Sequence, residues 1–297
     1  MSALSNFPTI DDYVKNWQQL SPISQFREVR LFENQHEHRP LVSIITVVFN
    51  AASVLEATLK SVFQQTYDQI EYILIDGGST DATLSIIQQY QSQISFYLSE
   101  PDRGLYDAMN KGISLCHGQL VGILNAGDVY VPSAIAVMVE QHLLYPQSIL
   151  TGNCYEGNAK EPDKPFLVRG DSQKLAYKMV PHTAVFIPRY CYQQWGLYHL
   201  KYQIASDYDL LCRFKDQGVI FTNIDQVISI TEPRGVSGNY YLTEWEYFQI
   251  RLSYRLVSKI NALLFSFRSF LTITIHTILE KLGLWQWVEE RLYHGIR

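Results

Sequence analysis

Two carboxylates lie at or just beyond the ends of short apolar runs. An α/β enzyme commonly places ligand-binding groups at such positions. Asp76 ends the run at residues 71–75, and Asp128 closes a turn that begins at Asn125. Asp76 is placed to accept hydrogen bonds from a nucleobase or ribose, although Asp-Gly-Gly-Ser by itself is typical of an ordinary loop. Asp128 alone is a weak metal site, and it suits a divalent cation if a diphosphate supplies the remaining oxygens.

The segment EPDRGLYDAMNKG at residues 100–112 gathers polar groups around one predicted helix. Tyr106 and Asp107 share a helix face with Asn110, and Arg103 precedes the helix, where its guanidinium can reach a phosphate or an acidic partner. The opposite face carries apolar residues suited to the core: Ala108, Met109 and Ile113. The pattern leaves two interpretations open, a lined cleft and a solvated loop with a charged helix start.

A third group of polar residues lies at SDYDLLCR, residues 206–213, where Asp207 and Asp209 fall in the first turn of a predicted helix. An N-terminal aspartate often caps a helix or complements its dipole. That explanation accounts for one carboxylate rather than two, and His182 lies upstream, just before a predicted buried strand. His182 is equally consistent with a core histidine.

The elements that must position these groups form a repeating pattern. Apolar, β-branched runs without alternation predict strands buried on both faces. The predicted strands lie at 42–49, 71–75, 96–98 and 120–124, with helices at 54–65, from 80 to about 90, 105–115 and 132–144. This alternation predicts an α/β fold with a mostly parallel sheet, whose strand ends would bring Asn50, Asp76 and the 125–128 turn into one crevice.

The chain divides into three parts on this pattern. Residues 1–39 are polar and irregular, which predicts an N-terminal extension, and residues 40–240 carry the α/β domain, which becomes mixed α+β beyond residue 150. Residues 241–297 are predicted to be an amphipathic helical C-terminal region. Neither a dinucleotide-binding nor a P-loop glycine motif follows the first strand, so the crevice must hold its ligand in another way.

The composition of the chain limits which binding partners and which cellular compartment are expected. The net charge of −5 argues against nucleic acid as a partner. Residues 247–297 hold seven Lys and Arg against three Glu, so a basic tail follows an acidic body. Four cysteines without C-x-x-C spacing predict buried, reduced thiols, and no secretion signal is evident, which together favour a cytoplasmic location.

The basic tail has an apolar side. Apolar residues recur near helical spacing: Leu263, Leu264, Phe267, Phe270, Leu271, Ile275 and Ile278, followed by Trp285 and Trp287. Four charges at Lys259, Arg268, Glu280 and Lys281 interrupt the run, which argues against a membrane-spanning helix. We expect residues 247–297 either to lie peripherally at the inner face of the cell membrane or to pack against protein.

Taken together, six segments resemble family 2 of the inverting glycosyltransferases, and within it the bacterial polysaccharide and lipid-linked glycan transferases. They are VSIITVVFN (42–50), ILIDGGSTD (73–81), EPDRGLYDAMNKG (100–112), LNAGD (124–128), PHTAVFIPR (181–189) and SDYDLLCR (206–213). The resemblance spans about residues 40–235 and rests on their order and spacing. It implies the GT-A fold, the nucleotide-diphospho-sugar transferase fold.

The resemblance also implies a role for each matching residue. Thr46, Phe49, Asn50 and Asp76 would hold the nucleoside, while Arg103, Tyr106, Asn110 and Asn125 would line the nucleotide-sugar cleft. Asp128 would hold a divalent cation, Mn²⁺ or Mg²⁺, and Asp207 would be the catalytic base. His182 and Asp209 would lie on the acceptor side. Asp209, two residues after Asp207, should nevertheless point about 200° around the helix from it and serve capping or packing.

Three departures from the family pattern qualify these roles. The aspartate cluster is reduced to Asn125-Ala-Gly-Asp128, which weakens the metal site, and the usual His-Gln pair is His182-Thr183. The Q-x-x-R-W signature of processive synthases is missing, which predicts the addition of one sugar per encounter.

The expected activity is inverting transfer from a UDP-sugar or another nucleotide sugar to a hydroxyl of a glycan or lipid-linked acceptor. A catalytically inactive sugar-nucleotide-binding scaffold is the alternative that the reduced aspartate cluster favours. A sugar nucleotidyltransferase is a weaker alternative, because residues 50–56 lack the Gly-rich, basic loop of that class.

Overall fold

The computed structural model describes residues 9–20, 39–157, 165–231, 239–254 and 256–282, which fall into two compact units, Met1–Pro233 and Arg234–Arg297. Strands and helices alternate through the first unit, as the apolar runs predicted. Its helices are α1 Ile10–Leu20, α2 Leu55–Phe63, α3 Thr83–Gln89, α4 Leu105–Leu115, α5 Ala134–Leu144, α6 Arg189–Trp195 and α7 Ser206–Asp216. Its strands are β1 Val42–Val48, β2 Ile70–Asp76, β3 Phe96–Ser99, β4 Leu120–Ile123, β5 Val129–Tyr130, β6 Ile149–Glu156, β7 Phe166–Val168, β8 Val185–Pro188 and β9 Phe221–Thr231.

The described strands form one sheet in the order β3-β2-β1-β4-β8-β6-β9-β5, with β7 paired to the side of β6. Strands β1, β2, β3, β4, β6 and β9 run in one direction, and β5, β7 and β8 run in the other. The sheet is therefore mostly parallel, as predicted. Every residue of β1 is buried, because helices cover both faces of a sheet that is built by crossovers.

Helix α4 lies directly against β1, and a glycine permits this contact. A Cβ added at Gly112 would lie 2.4 Å from Cγ2 of Ile45, so a larger residue would push the helix away from the sheet. The predicted core-facing residues Ala108, Met109 and Ile113 are buried there. This packing determines how far the 100–112 segment lies from the strand ends.

The N-terminal extension departs from the prediction, because residues 10–20 of the supposedly irregular segment form helix α1. Thr9 Oγ1 accepts a hydrogen bond from the backbone N–H of Asp12 at 3.1 Å, which caps the helix. Tyr13 and Trp17, one turn apart, are both buried and belong to the same unit as the sheet. The remainder of the predicted extension, residues 1–8 and 21–38, lies outside the described residues.

The cysteines follow the prediction. Cys116, Cys154, Cys191 and Cys212 are all buried and unpaired as disulfides. Burial raises the pKa of the Cys116 and Cys191 thiols to about 12, because the low-dielectric interior disfavours a thiolate. All four cysteines are consequently core residues.

The second unit contains helices α8, Tyr240–Ser253, and α9, Lys259–Lys281. A buried cluster joins them: Arg251 pairs with Glu244 and donates to Ser266 Oγ at 2.9 Å. The other face of α9 exposes an apolar stripe, Ile260, Leu263, Leu264, Phe267, Leu271, Ile275, Ile278 and Leu282. The predicted anchors Trp285 and Trp287 lie outside the described residues.

The length and hydropathy of helix α9 bear on the expectation that the tail does not span a membrane. The stretch Lys259–Leu279 has a mean hydropathy of 1.5 and is long and apolar enough to cross a membrane by length and composition. The charges that argued against a spanning helix lie mostly at its ends, and only Arg268 falls near the middle. Length and composition therefore do not exclude a span.

Candidate functional site

The first polar strand end is formed by Phe49 and Asn50, directly after β1. Asn50 adopts the left-handed backbone conformation with φ of 48°, which asparagine tolerates better than most residues. Its Oδ1 accepts a hydrogen bond from the backbone N–H of Thr80 at 2.9 Å, and its own N–H donates to Ser79 Oγ at 2.8 Å. Asn50 thus ties the loop after β1 to the loop after β2, and Phe49 is left 62% exposed.

Asp76 ends β2 at the same edge of the sheet, but its carboxylate is fully covered. Its oxygens accept hydrogen bonds from the hydroxyl and backbone N–H of Ser79 and, at 2.6 Å, from Ser99 Oγ. The side chain is 0% exposed. Asp76 therefore holds three loop groups in place, and a base reaches it only if one serine hydroxyl moves.

Thr46 and Asn110 differ from the roles that the resemblance implied. Thr46 is buried in β1, and its Oγ1 lies 3.0 Å from the hydroxyl of Tyr72. Asn110 is also 0% exposed; its amide donates to the Tyr198 carbonyl at 3.0 Å and accepts the Tyr198 N–H at 2.9 Å. Both side chains are enclosed by protein, so neither lines the cleft in this conformation.

Arg103 stands at the start of α4 with its side chain 60% exposed. Asp107 fixes it: the Arg103 Nη2 and Nε atoms lie 2.7 Å and 3.2 Å from Asp107 Oδ1, and the Arg103 backbone N–H donates to Oδ2 at 3.1 Å. Burial alone would raise the pKa of Asp107, but hydrogen bonds from Arg103 and Tyr13 hold that pKa below its usual value. The pair places an oriented guanidinium at the edge of an open pocket lined by Leu200, Tyr202 and Gln203.

Asp207 is the second residue of α7, and its side chain faces α4. The hydroxyl of Tyr106 donates to the Ile204 carbonyl and lies 3.3 Å from Asp207 Oδ1, and the backbone N–H of Tyr208 donates to that carboxylate oxygen at 2.8 Å. Tyr106 is held by stacking on Tyr198, with ring centroids 5.4 Å apart. Asp207 keeps some solvent contact, yet burial raises the pKa of its carboxyl above the usual range, and the nearby His182 offsets only part of this rise. A carboxylate in such surroundings is suited to accept a proton.

His182 shares a small apolar cavity with Asp207, beneath the strand ends. Its Nε2 lies 2.9 Å from Nδ2 of Asn125, two positions after the end of β4. Asn125 Oδ1 is buried and finds no hydrogen-bond partner within the described ranges. The structure therefore brings the turn after β4, the segment before β8 and the start of α7 into one place.

Asp128 closes the same turn, with its backbone N–H donating to the Asn125 carbonyl at 3.0 Å and Gly127 at φ of 101°. Over the described residues, no group of three or more His, Cys, Asp or Glu side chains converges on a metal position. Asp128 is the carboxylate that the sequence predicted for a cation here. Such a contribution fits Mg²⁺ or a similar ion, which one or two carboxylates hold together with substrate phosphates.

Asp209 is buried in the core instead of facing the acceptor side. It is 1% exposed and pairs with Arg213, one turn later on α7, at 3.3 Å. Arg213 also donates to the Leu197 carbonyl at 2.5 Å. The two aspartates of the α7 first turn thus have separate environments, because residues two apart point about 200° away from each other around a helix.

Sequence reasoning missed Asp102 as a residue of this crevice. Its Oδ1 accepts the backbone N–H of Gly104 at 2.8 Å, and its Oδ2 lies where a Cβ at Gly77 would approach it to 2.5 Å. Burial raises the pKa of Asp102. The signal available in the sequence was Gly77-Gly78 after Asp76, since two glycines leave room for a neighbouring loop to come this close.

Comparison with known proteins places this geometry in a family. Residues 43–217 match the family model described as glycosyl transferase family 2. A PGL/p-HBAD biosynthesis glycosyltransferase of Mycobacterium bovis is 30% identical over 201 residues, covering 64% of this chain and 75% of the relative. An uncharacterized glycosyltransferase of Mycobacterium tuberculosis is 36% identical over 183 residues, covering 59% of this chain and 68% of the relative.

Solved structures show the fold. TarS 1-349 of S. aureus in complex with UDP-GlcNAc matches with a TM-score of 0.58 at 13% identity, covering 74% of this chain and 69% of that chain. The match to the longer TarS structure covers 41% of that protein. The mannosyltransferase PcManGT of Pyrobaculum calidifontis, in complex with GDP-Man and Mn²⁺, matches with a TM-score of 0.57 at 15% identity, covering 95% and 90% of the two chains. The predicted GT-A fold is confirmed.

Proposed function

The chain belongs to glycosyl transferase family 2, and on that premise we propose that it moves a sugar from a nucleotide-diphosphate sugar to a hydroxyl of a glycan or lipid-linked acceptor, with inversion. The observation that carries the proposal is Asp207, a partly buried carboxylate with a raised pKa at the mouth of the sheet. Structural neighbours in complex with UDP-GlcNAc and with GDP-Man support a nucleotide-sugar donor. Membership in this family does not support the alternative function of a sugar nucleotidyltransferase.

The nucleoside end of the donor belongs at the loops after β1 and β2. Phe49 offers an exposed aromatic face for a base, and Asn50 holds that loop against residues 79–80. Asp76 supports the same loop from below through Ser79. Arg103 supplies positive charge for the diphosphate, since a guanidinium binds phosphate oxygens in pairs.

The transfer itself is a single displacement. Asp207 takes the proton from the acceptor hydroxyl while the acceptor oxygen forms its bond to C1 of the sugar. The bond from C1 to the diphosphate oxygen breaks on the opposite face, and the nucleoside diphosphate leaves with the electron pair. Tyr106 keeps Asp207 oriented, and the apolar walls of the cavity beneath it keep the carboxylate weakly solvated and basic.

A divalent cation fits this site through Asp128 together with the oxygens of the bound diphosphate. When bound there, Mg²⁺ or Mn²⁺ offsets the negative charge of the departing nucleoside diphosphate. The neighbour that contains Mn²⁺ supports this assignment. Asn125 lies against His182, and Asp128 is the carboxylate that we assign to the ion.

Donor binding tests the nucleoside site. Phe49→Ala should weaken nucleotide-sugar binding at least fivefold, because stacking a base on an aromatic side chain contributes about 1–3 kcal/mol. Calorimetric titration with UDP- and GDP-sugars measures the effect. Phe166→Ala, which removes a comparably exposed ring on β7, is the matched control and should bind normally. Equal affinity of the two variants would remove Phe49 from the site.

Metal dependence follows from the Asp128 assignment. Asp128→Asn should lower turnover at least tenfold, and EDTA should suppress the wild-type rate until Mn²⁺ or Mg²⁺ is restored. Asp216→Asn, at the exposed end of α7, is the control and should behave as wild type. Full activity of the wild type in EDTA would show that this chain works without a metal.

A sugar-nucleotide-binding scaffold without catalysis is the second candidate, because the described residues hold no group of three or more His, Cys, Asp or Glu side chains around a metal position. Release of nucleoside diphosphate from a bound nucleotide sugar separates the two functions. An enzyme releases it faster when an acceptor is added. A scaffold binds the donor with the same affinity and leaves it intact.

Our proposal of a lipid-linked acceptor is based on helix α9. Its exposed stripe is apolar along the whole helix, about 33 Å at 1.5 Å per residue, and Lys259, Arg268 and Lys281 accompany it. This combination suits a lipid surface that carries anionic headgroups. The membrane assignment places the enzyme at the cytoplasmic face of the cell membrane, where lipid-linked acceptors are presented.

Vesicle flotation tests this assignment. Leu263→Glu combined with Phe267→Glu should abolish binding to vesicles of phosphatidylcholine and phosphatidylserine, because both charges enter the apolar stripe. Thr272→Glu changes an exposed position outside the stripe and should leave binding intact. Raised salt should release a peripheral protein and leave a spanning helix in place. A wild-type chain that never floats with vesicles would contradict the membrane assignment.

A further inference from the structure

Helix α1 packs on α4 through two buried aromatic side chains that reach charged groups of the 100–112 segment. Tyr13, 5% exposed, directs its hydroxyl at Asp107, with Oδ1 at 2.7 Å and the carbonyl oxygen at 3.0 Å. Trp17, 7% exposed, donates from Nε1 to Glu100 Oε1 at 2.7 Å. Helix α1 lies outside residues 43–217, the part matched to the family model.

Asp107 joins α1 to Arg103. The Oδ1 atom that receives the Tyr13 hydroxyl is also the atom that lies 2.7 Å from Arg103 Nη2. A buried carboxylate oxygen with two donors has its position set by both. Loss of the Tyr13 hydroxyl would leave Asp107 free to shift toward Arg103, and the guanidinium would lose its fixed orientation.

Trp17 acts on the other end of the same loop. Glu100 Oε1 receives the indole N–H and also pairs with Lys111 Nζ at 2.7 Å. Lys111 is 3% exposed, donates to the Pro101 carbonyl at 3.1 Å and lies 5.9 Å above the Trp17 ring. Helix α1 therefore covers a buried ion pair that anchors the loop at residues 100–104, from which Arg103 projects.

We propose that α1 is a built-in support of the donor site, in which Tyr13 and Trp17 are positioning residues that orient Arg103 toward the diphosphate of the nucleotide sugar. The inference rests on the proposed function, because it takes Arg103 to meet the donor. It assigns the segment before the family domain a part in substrate binding, beyond covering the surface of α4.

The test compares ligands with and without the diphosphate. Tyr13→Phe removes the hydroxyl and keeps the ring, so it should weaken binding of UDP or GDP about threefold to tenfold and leave binding of uridine or guanosine unchanged. Calorimetry measures the diphosphates, and ligand-observed NMR measures the nucleosides. Tyr67→Phe is the matched control: it removes another buried hydroxyl, bonded at 2.6 Å to the Pro40 carbonyl, and should leave both affinities unchanged.

A double-mutant cycle with Arg103→Ala separates positioning from general stability. In the Arg103→Ala background, Tyr13→Phe should change diphosphate affinity by less than twofold, since the side chain through which it acts is gone. Trp17→Phe should give the same pattern and serves if Tyr13→Phe fails to fold. The proposal is overturned if the losses for diphosphate and nucleoside are equal, if the Tyr13 and Arg103 effects add fully, or if folded variants bind as wild type. A wild-type chain that binds none of these ligands would overturn the donor site itself.

Discussion

Asp207→Asn should lower turnover by roughly 10²–10⁴-fold and leave donor affinity nearly unchanged, because the amide keeps the shape of the side chain but cannot accept the proton of the acceptor hydroxyl. The hydrogen bonds from Tyr106 and Tyr208 both reach Oδ1, which an amide oxygen can replace. The loss should therefore appear in kcat. Donor binding by calorimetry and transfer to an acceptor are the two measurements.

Asp216→Asn is the control for this variant, since it makes the same chemical change at the exposed end of the same helix. Normal transfer by a folded Asp207→Asn chain would show that the base lies elsewhere. His182 is then the next candidate, because it lines the same cavity as Asp207. His182→Ala in that background would be expected to remove the remaining activity.

The same carboxylate determines the pH profile. Burial raises the pKa of Asp207, and the base works only when it is ionised, so kcat should fall as the pH decreases through this raised value. The acid limb should consequently lie above the pKa of an ordinary aspartate, about 3.9. The residual rate of Asp207→Asn should lack this limb. An acid limb that is unchanged in the variant would assign it to another group.

Asp209→Ala should destabilise the first unit by about 3–5 kcal/mol, because it leaves the Arg213 guanidinium buried without its carboxylate. Both residues are 1% exposed, and Arg213 also donates to the carbonyls of Leu197 and Gly196. Urea denaturation followed by tryptophan fluorescence measures the loss. Trp195 of the same unit lies 5.9 Å from Phe214, next to Arg213, and reports on this region.

Two comparisons identify the buried charge as the cause. Glu56→Ala removes one partner of an exposed pair with Lys60 and should change stability little, since solvent screens such pairs. The double variant Asp209→Ala with Arg213→Met removes both charges and should recover part of the loss. A single Asp209→Ala variant as stable as wild type would mean that the guanidinium finds water or another partner.

Much of the fold was predictable from local sequence. The buried runs at 42–49, 71–75 and 120–124 became β1, β2 and β4, because continuous β-branched runs suit strands covered on both faces. The parallel order then placed Asn50, Asp76 and the 125–128 turn at one edge. Asp207 also lies in the first turn of α7, as the pattern SDYDLLCR predicted.

The direction in which polar side chains point was decided by tertiary structure. The sequence predicted that helix α4 is amphipathic and that its polar face meets either solvent or a cleft. In the structure α1 covers Asp107 and Lys111, and the backbone of Tyr198 takes both ends of the Asn110 amide. A helical pattern distinguishes polar faces from apolar ones, but it carries no information about what covers the polar face.

Thr46, Asp209 and Asp207 show the same division between sequence and structure. In a strand buried on both faces there is no alternation, so the sequence could not tell that Thr46 turns to Tyr72 inside the core. Helical geometry separated Asp207 from Asp209 by about 200°, and the sequence therefore predicted two different environments. Which environment was the buried ion pair and which the cleft depended on Arg213, Tyr106 and the segments that pack around them, and those contacts exist only once the chain has folded.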